Sequence, residues 1–217
     1  MARSSSFKNM VIVLTLVALT ASAVLGGMYI LTKEPIEIAE IAKINMAIAD
    51  VVPAFDNNPS EKPDTVTIDG RNLYLFYATK DNELVGVAIT TVTTKGFGGL
   101  MTLMVGFLPD GTINNTAVIS HSETPGLGDK IIKSKGDKIQ LWKYIFPNWG
   151  DDDKKDFAVQ FDRQNPETFK LAVKKDGGDV DAITAATISS RAFCDAVERA
   201  YKAFQSVDFN KYNKSEN

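Results

Sequence analysis

Between Met10 and Leu31 the chain carries 22 consecutive residues without a charged side chain. A helix rises about 1.5 Å per residue, so this run spans about 33 Å, against roughly 30 Å for the hydrocarbon core of a bilayer. The segment constrains the rest of the chain, which either hangs from a membrane or has been passed across one. Arg3 and Lys8 precede the run, and no acidic residue lies among the first nine. Positive charge is kept on the cytoplasmic side of a first span. That rule puts residues 1–9 in the cytoplasm, residues 10–31 in the membrane and the remainder outside. A cleaved signal peptide is the competing reading, since Ala21-Ser22-Ala23 fits a small-x-small cleavage site. The anchor is preferred because the apolar run continues for eight residues past Ala23. Both readings export the domain.

The formal net charge is −3; removing the two positive charges of Arg3 and Lys8 leaves −5 on the rest. An acidic domain is not built to hold nucleic acid. With 44% hydrophobic residues, the exported part can bury a substantial core. The single cysteine, Cys194, has no partner for an internal disulfide and reads as a small buried apolar residue.

Past the membrane segment, Ile38, Ile41, Ile44, Ile48 and Val51–Val52 recur at helical spacing, predicting an amphipathic helix that ends near Pro53. Residues 32–64 are thus a largely helical linker, closed by the loop Asp56–Ser60. Short strands are expected at Thr65–Asp69, Leu73–Ala78 and Leu84–Thr94, broken at Gly70 and at Lys80-Asp81-Asn82. Leu100–Leu108 and Thr112–Ser120 form the clearest hairpin, turning at Pro109-Asp110-Gly111. A short helix is expected at Asp137–Phe146. Asp151-Asp152-Asp153 reads as solvated loop, since the spacing lacks the pattern of a calcium loop. Phe169–Val173 reads as a strand and Asp176–Asp179 as a turn. From Arg191 to Val207 an amphipathic helix closes the domain, with Ile188, Phe193, Val197, Ala200, Tyr201 and Phe204 near one face. The polar tail 208–217 frays. The fold class is α+β, with helices packed on an antiparallel sheet over residues 65–207.

The chemistry concentrates at two places. In Asp181-Ala182-Ile183-Thr184-Ala185-Ala186-Thr187-Ile188-Ser189-Ser190, apolar residues feed the start of the last helix. The first turn of a helix holds unpaired N–H groups and about half a positive charge, which suits a phosphate. Ala185 and Ala186 let a bulky group approach the backbone, and Thr187 presents a hydroxyl. Helix starts also favour Ser and Thr simply as caps, and on that reading Thr184 is the N-cap with Thr187 at the third helical position. Asp181 has two readings of its own: a carboxylate favourably placed before a helix start, or part of a recognition sequence. The second place is Glu123-Thr124-Pro125-Gly126-Leu127-Gly128. Pro125 fixes its own φ and removes an N–H, while Gly126 and Gly128 can take positive φ, giving a stiff loop whose backbone can lie close to a planar ligand. An ordinary Pro-Gly turn would carry the same residues.

Taken together and in this chain order, the two strings resemble the FMN-binding domain family. Asp181-x-x-Thr184-Ala185-Ala186-Thr187 resembles its flavinylation motif, and Glu123–Gly128 resembles its loop beside the flavin. Gly96-Phe97-Gly98-Gly99 is a weaker echo of its glycine-rich segment. The resemblance covers about residues 65–207. It implies that FMN is attached through a phosphoester to Thr187, that Asp181, Thr184, Ala185 and Ala186 surround the attachment point, and that Glu123, Thr124, Pro125, Gly126, Leu127 and Gly128 line the flavin. The family usually has Gly where this chain has Ala185, which costs about 1 kcal/mol or more if the backbone there needs positive φ and is favoured instead if the position is already helical. Members of this kind serve bacterial inner-membrane complexes of the Rnf and sodium-pumping NADH:quinone reductase types. The Thr124–Ile131 context and the chain length are nearer the Rnf type.

The implied function is a covalent FMN electron carrier inside a membrane complex that couples ferredoxin and NAD redox chemistry to ion movement. Its partners would be the other subunits, the membrane, and a flavin transferase during maturation. The chain would be a redox subunit with no catalytic residue or metal site of its own. It holds no nicotinamide fingerprint, cysteine cluster or P-loop, so those parts fall to other subunits. His121, beside Ser122 and Glu123, could suggest a hydrolase, but neighbours on an extended segment point to opposite faces. The alternative function is a membrane-anchored, extracytoplasmic module that binds a small ligand or partner without redox chemistry.

Overall fold

The structure, a computed structural model, describes residues 6–132 and 156–207. The helix expected at Asp137–Phe146, the Asp151–Asp153 loop and the tail 208–217 lie outside them. The chain divides into two units, residues 1–43 and residues 44–217. Helix α1 runs Phe7–Val51, 45 residues, with Pro35 inside it. One helix among the described residues is long and apolar enough to cross a membrane, with a mean hydropathy of 2.3 over its best window. Its side chains from Met10 to Leu31 are all exposed, as a segment solvated by lipid requires. The amphipathic segment expected after it is part of the same element and ends at Val51, just before Pro53.

The second unit is built on one antiparallel sheet in the order β1-β2-β3-β4-β5: β1 Asp64–Ile68, β2 Arg71–Lys80, β3 Glu83–Thr93, β4 Met101–Phe107 and β5 Ile113–His121. Turn chemistry sets this meander. Asp69 and Gly70 both take positive φ (51° and 73°), as do Asp81 and Asn82 (52° and 65°). Two consecutive positive φ values make the two-residue turn whose twist matches that of the flanking strands. Between β4 and β5, Gly111 at φ 82° donates to the Leu108 carbonyl at 2.9 Å.

Period-2 alternation divides the sheet's side chains between two cores. Leu73, Leu75, Val87, Ile89, Leu103, Val105 and Phe107 face the closing helix α2, Thr187–Gln205, which supplies Phe193, Val197, Ala200 and Phe204. Phe76, Ala78, Ala88 and Met104 face the other way, onto Ile48, Val51 and Val52 at the C-terminal end of α1. Gly106 permits that second layer, because a Cβ there would collide with the Val51 carbonyl oxygen. The last carbonyls of a helix lack intrahelical donors. Here Asn114 and Asn115 fill the gap, donating from Nδ2 to Val51 O (2.8 Å) and Asp50 O (2.7 Å).

Three local expectations are corrected. Phe169–Val173 is not a strand; Val173 makes a single parallel bridge to Val180, and Asp179 caps the segment by accepting from the Lys170 N–H at 2.7 Å. Without a partner strand the apolar alternation has nothing to pair with. Ile188 does not join the buried face of α2 but stays 48% exposed. The helix also begins three residues after Thr184, with Ala186 in the N-cap position and no capping side chain. The cause is Ala185, whose φ of 64° cannot continue into a right-handed helix.

Candidate functional site

Strand register gathers the two chemically rich stretches. Thr93 at the end of β3 pairs with Met101, and Met101 pairs with His121 at the end of β5. The β3–β4 connection, with its Gly96–Gly99 turn, and the loop after β5 therefore leave the same end of the sheet side by side. Helix α2 is fixed over that end by charge. Asp195 accepts from Thr93 Oγ1 (3.1 Å), Lys95 Nζ (2.5 Å) and Arg199 Nη2 (2.7 Å). Arg199 also donates from Nη1 to the Val92 carbonyl at 2.9 Å. Partial burial pushes the Asp195 carboxyl up, but the hydrogen bonds from Lys95, Arg199 and Thr93 outweigh it, and the group sits below the ordinary carboxylate range. The result is to hold the first turn of α2 beside the two loops.

A cavity of about 320 Å3 opens where they meet, lined by Phe97, Glu123, Thr124, Leu127, Gly128 and residues 185–189. Glu123 is 5% exposed and joins its walls. Its Oε2 accepts from Ser189 Oγ at 2.5 Å and its Oε1 from the Gly98 N–H at 3.3 Å. Its own N–H donates to His121 Nδ1 at 3.1 Å, which fixes the acceptor nitrogen of that ring. Glycines are obligatory around this carboxylate. A Cβ on Gly128 would stand 2.6 Å from Glu123 Oε2, while one on Gly96 would collide with Oε1 and one on Gly98 with the Ser122 carbonyl oxygen. Gly126 alone in the loop needs positive φ, at 78°. Gly128 was expected to have the same use, but it serves close approach instead. The Thr124 carbonyl accepts from the N–H groups of Leu127 (3.2 Å) and Gly128 (3.1 Å), closing the Thr-Pro-Gly-Leu turn.

The other wall is the start of α2. Ala186 donates to the Ile183 carbonyl at 3.0 Å, closing a turn with Thr184 and Ala185 at its centre. Positive φ at the third residue is the type II pattern that ordinarily takes Gly. Ser190 Oγ braces this turn, accepting from the Ile183 N–H and donating to the Ala186 carbonyl, each at 3.0 Å. Thr187 is the first helical residue, partly exposed, and its hydroxyl has no hydrogen-bond partner among the described residues. The first-turn N–H groups of Thr187, Ile188 and Ser189 likewise meet no acceptor among the described residues, and the nearest negative charge on that turn is the Glu123 carboxylate, held through Ser189 Oγ.

Of the residues singled out in the sequence, Glu123, Thr124, Leu127, Gly128, Ala185, Ala186 and Thr187 line this cavity. Pro125 and Gly126 shape the loop behind it. Thr184 is exposed in the turn before the helix and caps nothing. The Asp181 carboxylate pairs with Lys174 Nζ at 2.7 Å, and its backbone N–H donates to Gln160 Oε1 at 2.8 Å. Three residues gain a place that sequence reasoning had not given them: Ser189, the hydroxyl on Glu123; Ile188, at the rim; and Phe97, the one side chain of its glycine turn. The signal for Phe97 was present, since an aromatic among three glycines has no helical or strand period to satisfy.

An antiparallel sheet ending in a glycine-bounded cavity, with an uncapped helix N-terminus on one wall and apolar side chains on the rim, has the parts for an anionic group joined to a flat ring. Residues 96–202 match the FMN-binding domain family. Across nearly its whole length the chain is also similar to proteins named as the G subunit of an ion-translocating oxidoreductase complex. It is 37% identical over 199 residues to that of Pasteurella multocida, covering 87% of this chain and 89% of the relative. It is 32% identical over 213 residues to that of Pseudoalteromonas atlantica, covering 94% and 92%. It is 32% identical over 195 residues to that of Haemophilus influenzae strain PittEE, covering 87% and 86%. The chain belongs to this G-subunit family and carries its FMN-binding domain.

Proposed function

We propose that this chain is the covalent flavin-carrying electron-transfer subunit of an Rnf-type, ion-translocating membrane complex, with FMN esterified to Thr187. One observation carries the reading: a partly exposed threonine hydroxyl, without a hydrogen-bond partner among the described residues, opens α2 at the uncapped, positive end of the helix and lines the cavity. FMN supplies the capacity to pass one or two electrons. The chain supplies the rest. The first-turn N–H groups of α2 neutralise phosphate charge. The left-handed turn at Ala185 directs the chain so that Thr187, and not Thr184, faces the cavity. Leu127, Ile188 and Thr124 bound the space for the ring.

Threonine is a weak nucleophile, so loading belongs to a separate flavin transferase. Thr187 Oγ1 loses its proton to the transferase and takes the FMN phosphoryl group of FAD, with AMP as the leaving group. Exposure of Ala185 and Thr184 leaves that enzyme room to reach the site. Asp181 is on the surface, where the transferase can read it. On this reading residues 1–9 are cytoplasmic, residues 10–31 of α1 span the inner membrane, and the domain works outside. There a lost cofactor has no cytoplasmic pool to replace it. Ferredoxin and NAD chemistry, and the ion path, fall to the other subunits.

Mass spectrometry of protein from its native host, or co-expressed with the transferase, tests the assignment. The peptide bearing Thr187 is expected to gain about 438 Da, the mass of FMN less water. An unmodified Thr187 with active transferase present would remove the covalent reading and favour a binding module without redox chemistry.

A further inference from the structure

Within the Gly96–Gly99 turn, Phe97 is the only residue with a side chain, and it is 70% exposed on the cavity rim. A phenyl ring left in water forgoes one of the larger hydrophobic gains a side chain can make. The turn that carries it is nevertheless held firmly. Gly99 donates to the Gly96 carbonyl at 3.2 Å, and Gly98 donates to Glu123 Oε1 at 3.3 Å. Gly96 and Gly98 pack so tightly on Glu123 and Ser122 that neither position has room for a Cβ. Glu123 is tied in turn to α2 through Ser189 Oγ. The bracket that presents Phe97 is therefore locked to both other walls of the cavity. Leu127 and Ile188, 42% and 48% exposed, share the rim with it.

We infer that Phe97 is the cover of the flavin ring: its phenyl group lies against one face of the isoalloxazine and shields it from water. This rests on the proposed occupancy of the cavity by FMN. It adds a residue that sets the ring's solvent exposure, and hence its reactivity with small solutes. The geometry favours a cover for the ring over a patch for another protein, because the side chain lines the same cavity as Thr187.

The test uses the full-length protein, loaded by co-expressed transferase and purified in detergent without its partner subunits. Quenching of flavin fluorescence by iodide is measured for wild type, Phe97→Ala, Phe97→Leu and Val159→Ala, the last removing an exposed apolar side chain that does not line the cavity. Flavin content per chain and thermal midpoint are recorded for each. Phe97 is exposed, so its variants are expected to keep the wild-type midpoint and the full flavin content. Uncovering one of two ring faces about doubles the iodide quenching constant in Phe97→Ala and shifts the visible flavin band. Phe97→Leu falls between, and Val159→Ala matches wild type. Quenching and spectrum unchanged in Phe97→Ala, with flavin present, overturn the cover alone. Absence of flavin from the wild-type protein overturns the occupancy on which it rests.

Discussion

Ala185→Gly is expected to stabilise this domain, against the general rule that glycine loosens a chain. Ala185 sits at φ 64°, in the left-handed region, at the third position of the turn closed by Ala186 N–H to Ile183 O at 3.0 Å. A Cβ in that region costs roughly 1–2 kcal/mol. Replacing alanine by glycine returns about 0.4–1 kcal/mol of that gain to the unfolded chain, which becomes more flexible. The difference is a net stabilisation of about 1 kcal/mol. For a domain of this size that raises the thermal midpoint by about 2–4 °C. The side chain is exposed, so no core contact is lost to offset the gain. Thermal unfolding of the detergent-solubilised protein, followed by circular dichroism, measures it, with Ala185→Val as the companion. Valine adds β-branching at the same φ and is expected to move the midpoint down. A lower midpoint for Ala185→Gly than for wild type, or a Val variant equal to wild type, would show that the turn does not hold Ala185 in the left-handed region.

Two further outcomes concern α2. The Asp195 carboxyl is held below the ordinary carboxylate range, so it stabilises the fold above that range and loses the contribution as pH falls through its own lowered value. Asp195→Asn should therefore lower the urea midpoint at pH 7, with the gap to wild type closing as the pH is taken well below 4; a gap that stays constant across the titration would rule out the linkage. Cys194 is 3% exposed, and burial pushes its thiol up to about 12. It should resist alkylation by iodoacetamide at pH 8 in the folded protein and react fully in denaturant, as read by intact mass; ready labelling under native conditions would contradict its burial.

How much of this was legible depended on whether the determining interaction was local. The hairpins were, because Asp69-Gly70, Asp81-Asn82 and Pro109-Asp110-Gly111 carry their turn geometry in their own side chains. The α+β class came from strand alternation and the closing amphipathic helix. The start of α2 was not legible. Thr184 is a good capping residue by type, but the left-handed backbone at Ala185, where such a turn ordinarily takes glycine, starts the helix at Thr187 with Ala186 in the N-cap position. The failed strand at Phe169–Val173 shows the same limit, since a strand exists only where another chain segment offers its hydrogen bonds. The Ser189–Glu123 bond joins residues 66 positions apart and becomes visible only in three dimensions. Glycine supplied an intermediate case. Gly128 stood out in the sequence for its freedom in φ, and Gly96 and Gly98 as part of a glycine-rich segment. In the fold they mark where three segments crowd one carboxylate.

That crowding bears on why a tether would suit this site. The cavity is about 320 Å3, near the lower end for ligand sites, and its rim of Phe97, Leu127 and Ile188 is open to solvent. A site that encloses little of a ligand gains little binding energy from contact, whereas one that encloses it fully would bury the ring edge through which electrons must pass. On the proposed reading, the ester at Thr187 separates these demands. Retention rests on a covalent bond, and the cavity needs only to orient the ring and cover one face. The Glu123 hub then has a purpose that tight binding would not require: it holds the loop, the glycine turn and the helix start in fixed relation, so that a cofactor tied at one point adopts a single pose. The strained turn at Ala185 belongs to the same arrangement, because it is what brings Thr187 rather than Thr184 to the cavity wall.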